Sequence, residues 1–534
     1  MPTTLHRLGA GLLALGLLFP GAADAQQTPL GSSAPFATGA PSTPAAIDWA
    51  ALDAYIDKAL KDWEVPGLAL AVVKGDSVVY AKGYGVKELG KPDPITPRTL
   101  FAVASTSKAF TAALMAMLVD SGKVKWDDHV IEYLPQFQLY DPYVTREMTI
   151  RDLLTHRSGL SRGDRVWYAS DLDRDQVIHQ MKYLKPSWGF RSNFGYQNVM
   201  FVTATQLEAK VTGKSWDELV RERLFQPLGM TGTVTSVRDL AGKPDVATPH
   251  DKVDDKVVPI HWVNVDNIGG AGAINSSALD MAQWVRLQLG KGEFGGKRLV
   301  GEKTMRDMHQ PQMLLSISDR AEKLNPDVHF SAYGLGWFLL DYRGRKVVHH
   351  GGNLDGFSAE VFLVPEEKLG IVILTNMDGT QLRDALPFWI TDRFLGGRDK
   401  DWSAEYLKFR QENQARADSA RLKVEAARVK GTKPSLPLHK YAGVYTDSLY
   451  GKVSVALENG HLVATSGPAF VADLEHWHYD TFRAVFRNHA YGKTYMTFAV
   501  DKMGQVGALD VDDFAVFARV PEKDKDKKVA TGTH

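Results

Sequence analysis

Trp49, Leu52, Ile56, Leu60 and Trp63 recur at helical spacing between Ile47 and Trp63. That period predicts an amphipathic helix opening the first folded domain. The pattern then changes. Residues 67–73 (Gly-Leu-Ala-Leu-Ala-Val-Val) and 77–81 (Ser-Val-Val-Tyr-Ala) flank Gly75-Asp76, which predicts an antiparallel hairpin. A second helix is expected from about 105 to 121, ended by Gly122. Residues 126–260 alternate helical segments with long loops. Sheet character returns at Lys346–His350, then at Phe357–Val364 and Gly370–Leu374 across the turn at 365–368, and a helix near 382–395 closes the domain. These strands and the early hairpin should share one antiparallel sheet, because each needs a partner to bury its apolar face.

Residues 403–430 are rich in Ala, Arg, Lys, Glu and Gln, with few large apolar side chains. They predict a polar helical linker over 399–437, broken at Gly431 to Pro437. Short alternating segments follow at 441–445, 451–455, 462–464, 481–486, 494–500 and 514–520, joined by Gly, Asn and Asp turns. They predict a small all-β, barrel-like domain over 438–521. The Lys-, Asp- and Glu-rich tail at 522–534 should be disordered.

At the other end, Arg7 precedes an apolar run from Leu8 to Phe19, then Pro20-Gly21 and the Ala-x-Ala site Ala23-Asp24-Ala25. This pattern predicts a signal peptide over 1–25, followed by a Pro-, Ser- and Gly-rich flexible leader over 26–44. The run is too short to span a bilayer comfortably, and no later stretch is long and apolar enough. A periplasmic or secreted chain without a transmembrane anchor is expected.

Composition narrows the chemistry. With 534 residues, 44% apolar and 24% charged, the chain is an ordinary globular protein large enough for more than one domain. Sixty-three basic and 63 acidic side chains cancel, so no global field recruits nucleic acid. There is no cysteine, which excludes thiol catalysis, thiolate metal sites and Fe–S ligation. His349 and His350 are adjacent in a strand and point to opposite faces. His476 and His478 share a face but lack a third ligand. No metal and no cofactor is expected.

The candidate chemistry lies in residues 101–110, Phe-Ala-Val-Ala-Ser-Thr-Ser-Lys-Ala-Phe. Ser105 and Lys108 stand one helical turn apart on one face. A serine hydroxyl needs a base to take its proton, and an amine made partly neutral by burial can serve. Tyr196 offers a phenol that could relay a proton beside a cation. Asn198 both donates and accepts, which suits it to orient Lys108 and a substrate amide.

In order along the chain, these residues resemble the family of class C β-lactamases, serine D-aminopeptidases, DD-carboxypeptidases and related penicillin-recognising esterases. Ser105-Thr106-Ser107-Lys108 matches the first motif, and Leu153-Leu154-Thr155-His156-Arg157-Ser158-Gly159-Leu160 a structural signature. Tyr196-Gln197-Asn198 fits Tyr-x-Asn, and His350-Gly351-Gly352 fits the third motif in its His-x-Gly form, followed by Gly356-Phe357-Ser358. The Gly269-Gly270-Ala271-Gly272 loop and Asp280-Met281-Ala282 also look like the family. Ser192-Asn193 resembles the Ser-Asn of a Tyr-Ser-Asn motif, but residue 191 is arginine.

The resemblance covers about 45–398. It implies an α/β (α+β) class C β-lactamase-like domain, an antiparallel sheet flanked by helices plus a mostly helical subdomain, with the small all-β domain behind it. It implies an acyl-enzyme on Ser105, with Lys108, Tyr196, Asn198 and His350 as catalytic residues. The oxyanion hole would be the backbone N–H groups of Ser105 and Asn353, and Gly351, Gly352 and Asn198 would contact substrate. Some members carry lysine at the His350 position to hold a substrate carboxylate.

The expected activity is that of a peptidase or amidase on small non-standard or D-residue-containing peptides. Linearised cyclic peptide toxins such as linear microcystin, which some members cleave, are included. A class C-like β-lactamase or esterase, and a non-hydrolytic penicillin- or peptide-binding protein, are the alternatives. The partner would be a small peptide, amide, ester or β-lactam, with no nucleic acid; a homo-oligomer stays open.

Overall fold

A computed structural model describes residues 47–512 and 514–521. The signal peptide and leader expected at 1–44, and the charged tail expected at 522–534, lie outside the described residues.

The opening helix runs Trp49–Trp63 and buries Leu52, Ile56, Ala59, Leu60 and Trp63. Its N-cap is Asp48, whose carboxylate accepts from the Ala51 N–H at 3.0 Å, satisfying an amide the helix cannot. That apolar stripe packs on one face of an eight-stranded antiparallel sheet. The strand order is Ser77–Gly85, Gly67–Lys74, Leu369–Thr375, Phe357–Val364, Arg345–Leu354, Phe338–Tyr342, Ser331–Tyr333 and Met313–Leu315. The hairpin and the late strands do share this sheet, with Leu68 opposite Thr375 and Lys74 opposite Leu369.

The three central strands, Gly67–Lys74, Leu369–Thr375 and Phe357–Val364, are buried at every position but Lys74 because both faces are covered. Period two sorts them: Ala69, Ala71 and Val73 join one core, while Leu68, Leu70 and Val72 join the other. The second core also holds Leu386 and Trp389 of the Leu382–Phe394 helix, and Trp402. The first core belongs to the helical layer. There the Ser107–Asp120 helix is buried almost all round, as a helix in the middle of a core must be. Phe110 stacks on Trp284 with ring centroids 3.9 Å apart.

The linker is helical over Trp402–Ala426. Its first turn is anchored by the buried Trp402 indole donating to Asp392 at 2.8 Å; Tyr406 and Leu407 then pack on the second core, and Arg320 donates to the Phe409 carbonyl at 2.9 Å and to Glu412 at 3.1 Å. Beyond it, eight strands from Gly443–Asp447 to Ala515–Arg519 close into an antiparallel barrel. Six of them contain the alternating segments read from sequence. The other two are Phe470–His478 and Val506–Val511. Asp473 and Glu475 point outward between the inward Ala472 and Leu474, and Gly507 interrupts the later strand, so each looks like a loop when read alone. Closure supplies the partners that make them strands.

Candidate active site

Ser105 sits in a 3-10 turn, Ala104–Thr106, that runs directly into the Ser107–Asp120 helix. Two hydroxyls tie the turn down. Thr106 Oγ1 donates to the Val103 carbonyl at 3.0 Å and Ser107 Oγ to the Ala104 carbonyl at 2.7 Å. Ala104, just before the nucleophile, is held at φ 47°, a left-handed conformation that an L-residue keeps only where its surroundings enforce it.

Lys108 is fully buried. Its Nζ lies 3.1 Å from Ser105 Oγ and 2.8 Å from the Ala271 carbonyl oxygen. The Ala271 carbonyl comes from the glycine loop Gly269–Gly272. A Cβ on Gly270 would meet Thr111 Oγ1 and Thr205 Cγ2 at 2.4 Å, so only glycine lets this loop press onto the helix. Burial drives the Lys108 amine well below its ordinary 10.5, with Asp164 pulling it up and Arg162 pushing it further down. No carboxylate touches it, so the neutral amine is the form the interior favours.

Tyr196 arrives from far along the chain. Its ring centroid is 4.7 Å from Lys108 Nζ, and the Arg162 guanidinium lies 5.0 Å from the same ring. Burial holds the phenol above its usual pKa, against the lowering effect of its hydrogen bond with Ser105 and of the Arg162 charge. The hydroxyl therefore stays protonated at neutral pH. His156, from the Leu153–Leu160 signature, packs on Tyr196 with ring centroids 4.1 Å apart. Its Nδ1 accepts from the Gln197 N–H at 3.0 Å, so the signature fixes the tyrosine segment in place.

Asn198 is the first residue of the Asn198–Thr212 helix. The sequence expectation oriented Lys108 with it. Instead its Nδ2 donates to Asp164 Oδ1 at 2.9 Å, while its buried Oδ1 has no partner among the described residues. Asp164 also accepts from Trp167 Nε1 at 2.9 Å and Arg162 Nε at 2.6 Å.

The Arg345–Leu354 strand pairs with Phe338–Tyr342 only as far as His349, while its pairing with Phe357–Val364 runs on to Leu354. Beyond His349 one backbone edge is thus free to face the nucleophile turn. A Cβ on Gly352 would sit 2.3 Å from the Val103 carbonyl oxygen and 3.0 Å from Ser105 N. Glycine therefore sets the Gly352-Asn353 peptide against the Ser105 amide. Arg383 holds that strand from the far side, donating to the Gly352 carbonyl and, at 2.9 Å, to the Ala359 carbonyl. Gly351 lies between them, its missing Cβ facing Glu360 Oε2 at 2.8 Å.

His350 differs from the expected contact with the reacting groups. Its Nδ1 lies 2.6 Å from the Gly351 carbonyl oxygen, to which it donates. Its Nε2 then accepts from the Tyr333 hydroxyl at 3.0 Å. Both ring nitrogens are engaged inside the protein, and burial pushes the imidazole well below 6.5. His349 points the other way, to Glu360 Oε1 at 2.9 Å.

Sequence reading missed Asp164, Arg162, Tyr333 and Arg383. None lies in a periodic segment that marks a site, and only the fold brings them to it. The glycine loop was noted, but nothing in it signals that the Ala271 carbonyl meets Lys108. Among the described residues no group of three His, Asp or Glu is placed to hold a metal, and no helix is long and apolar enough to cross a membrane.

Comparison with known proteins matches residues 52–392 to the family model described as Beta-lactamase. Residues 427–525 match a domain of unknown function, DUF3471. An unguisins hydrolase of Aspergillus campestris (strain IBT 28561) is 30% identical over 427 residues, covering 75% of this chain and 76% of that protein. Protein flp of Staphylococcus aureus (strain COL) is 25% identical over 342 residues, covering 61% and 63%. The octameric penicillin-binding protein homologue from Pyrococcus abyssi superposes with a TM-score of 0.59 at 21% identity, covering 88% of this chain and all of that one. A D-stereospecific amidohydrolase from Streptomyces sp. gives 0.53 at 23%, covering 66% of this chain and all of that one. A Ser-x-x-Lys pair with its lysine buried, beneath a glycine-bearing strand edge and matched along most of its domain, makes this chain a serine hydrolase of the β-lactamase family.

Proposed function

We propose that the protein is an exported peptidase or amidase that forms an acyl-enzyme on Ser105 and acts on small non-standard or D-residue-containing peptides. The observation that carries the chemistry is the buried Lys108 amine, 3.1 Å from Ser105 Oγ with no carboxylate against it. The neutral amine accepts the Oγ proton as Oγ bonds to the substrate carbonyl carbon. The carbonyl electron pair moves to oxygen, where the amides of Ser105 and Asn353 receive the charge; losing one such donor typically costs about 3 kcal/mol. When the C–N bond breaks, the leaving nitrogen takes the Tyr196 hydroxyl proton, and the Lys108 ammonium replaces it. Water then attacks the ester with Lys108 again as base, and Oγ recovers its proton.

Asn198 Oδ1, buried and unpartnered, suits a substrate N–H donor. Gly351 and Gly352 leave the strand edge open to an extended peptide backbone. His350 acts here as a positioning residue, since it is neutral and fully bonded. A site without a fixed cation at that position depends less on a substrate carboxylate, which favours peptides over β-lactams. The substrate class is further supported by the fungal relative, a hydrolase of unguisins, and by the D-stereospecific amidohydrolase. Linearised cyclic peptides such as linear microcystin belong to the same class.

The test sets wild type and Ser105→Ala against D-aminoacyl amides, linear peptides, short esters and a chromogenic cephalosporin. Amide or peptide turnover lost in the alanine variant, with weak cephalosporin turnover, is expected. Strong cephalosporin turnover without peptide cleavage would make it a β-lactamase. A burst with no steady turnover would make it a binder.

A further inference from the structure

The barrel's hairpin turns at 448–450, 467–469 and 487–492 lie at one end, with Asp512 and Phe514 beside them, since alternate turns of an antiparallel barrel share an end. That end meets the Arg162–Tyr168 turn of the hydrolase domain, and His489 there also lies 3.1 Å from Asp254 of the 250–259 hairpin. The Arg165 guanidinium lies 4.8 Å from the Phe470 ring and 5.7 Å from the Phe514 ring. The Tyr168 ring lies 6.1 Å from Phe470 and 6.3 Å from Tyr491. Tyr450 packs against both the hydrolase core and the barrel core.

The same turn carries the polar contacts of the Ser105 site. Asp164, one residue before Arg165, accepts from Asn198, Trp167 and Arg162. Arg162 covers the Tyr196 ring. Tyr168 donates to Asp355, in the turn just past the strand that carries Asn353. Seven residues therefore touch the barrel on one side and three parts of the site on the other.

We infer that the barrel is a positioning domain: by seating Arg165 and Tyr168 on Phe470, Tyr491 and Phe514, it holds Asp164 where Asp164 orients Asn198. This gives the C-terminal domain a role in hydrolysis without a ligand of its own. The physical reason is local. Residues 157–173 contain only a single 3-10 turn, Asp164–Val166, and loop backbone is mobile unless tied. A barrel closed by its own hydrogen bonds is a rigid seat. Asp164 and Arg165 are positioning residues, and Asn198 is the group they act through, so the inference rests on the reading that Asn198 meets substrate.

The experiment measures amide hydrolysis by Asn198→Ala, Arg165→Ala, Phe470→Ala and the double variant Asn198→Ala/Phe470→Ala in the full chain, with thermal unfolding of each. Arg165 is exposed, so its variant keeps the test open if Phe470→Ala fails to fold. Arg165→Ala and Phe470→Ala should each lower kcat about tenfold, as a misplacement near 1 Å can, with KM within about twofold and the unfolding temperature of the hydrolase domain unmoved. On the Asn198→Ala background the Phe470→Ala loss should vanish, because the two act through one group. An undiminished loss on that background, or unchanged kcat in Arg165→Ala and Phe470→Ala, would overturn the inference. Full activity in Asn198→Ala beside a dead Ser105→Ala would instead overturn the role given to Asn198.

Discussion

Lys108 Nζ lies 2.8 Å from the carbonyl oxygen of Ala271, a residue 163 positions away in sequence. That carbonyl takes one N–H of the amine, and Ser105 Oγ lies 3.1 Å from the same nitrogen. A neutral amine held by one acceptor turns its lone pair toward the other neighbour. In the mechanism we propose, that contact makes Lys108 the base and leaves Tyr196, kept protonated by burial, as the proton donor.

Acylation needs neutral Lys108, whose pKa lies well below 10.5 because of burial. The acylation rate should therefore fall as pH drops through that lowered value, and it should already be high far below pH 10.5. Lys108→Arg, which cannot lose its proton in this range, should abolish the burst of acylation at every pH. A rate that climbs only as pH approaches 10.5 would contradict the neutral amine.

Gly352→Ala should damage catalysis. The added methyl meets two backbone atoms, the Val103 oxygen at 2.3 Å and Ser105 N at 3.0 Å, neither the end of a flexible side chain. Overpacking costs about 1–3 kcal/mol of stability, while displacing the oxyanion amides by about 1 Å costs on the order of 100-fold in kcat. Steady-state kinetics and thermal unfolding measure both, and an active Gly352→Ala enzyme would refute the close approach.

Tyr333→Phe should cost about 1–3 kcal/mol, because it strands the buried His350 Nε2 without its donor. Since burial pushes His350 well below 6.5, the wild-type pH–rate profile should show no limb near pH 6.5 from this residue. Titration of the imidazole by NMR checks this directly, and a pKa at or above 6.5 would count against the assignment.

Glu208 supplies a stability prediction away from the site. It is fully buried on the Asn198–Thr212 helix, and neither carboxylate oxygen has a partner among the described residues. Burial raises its pKa well above the ordinary 4.5, so the folded protein holds the proton while the unfolded chain releases it. The unfolded state binds fewer protons above pH 4.5, and stability should decline from there as pH rises toward the folded value. Glu208→Gln should remove that slope from urea midpoints measured between pH 4.5 and 8. An identical slope in both proteins would show that another group causes it.

Much of this protein was legible in one dimension. Period 3.6 at Trp49–Trp63 and period two at 67–73 depend only on which face each side chain reaches, and the opening helix and central strand follow. The hydroxyl and amine of Ser105 and Lys108 are likewise neighbours because a helix turn makes them so. Other features needed the folded chain. Phe470–His478 carries charges that hide its period until barrel closure pairs it, and Asp164 lies in a loop without a pattern. His350 reads as a strand residue beside two glycines, but only the Tyr333 hydroxyl decides that its nitrogens are already spent. Periodicity and helix spacing are written locally, since backbone geometry repeats within a few residues. The burial that neutralises Lys108, and the carbonyl and carboxylate that complete the site, come from segments the sequence keeps far apart.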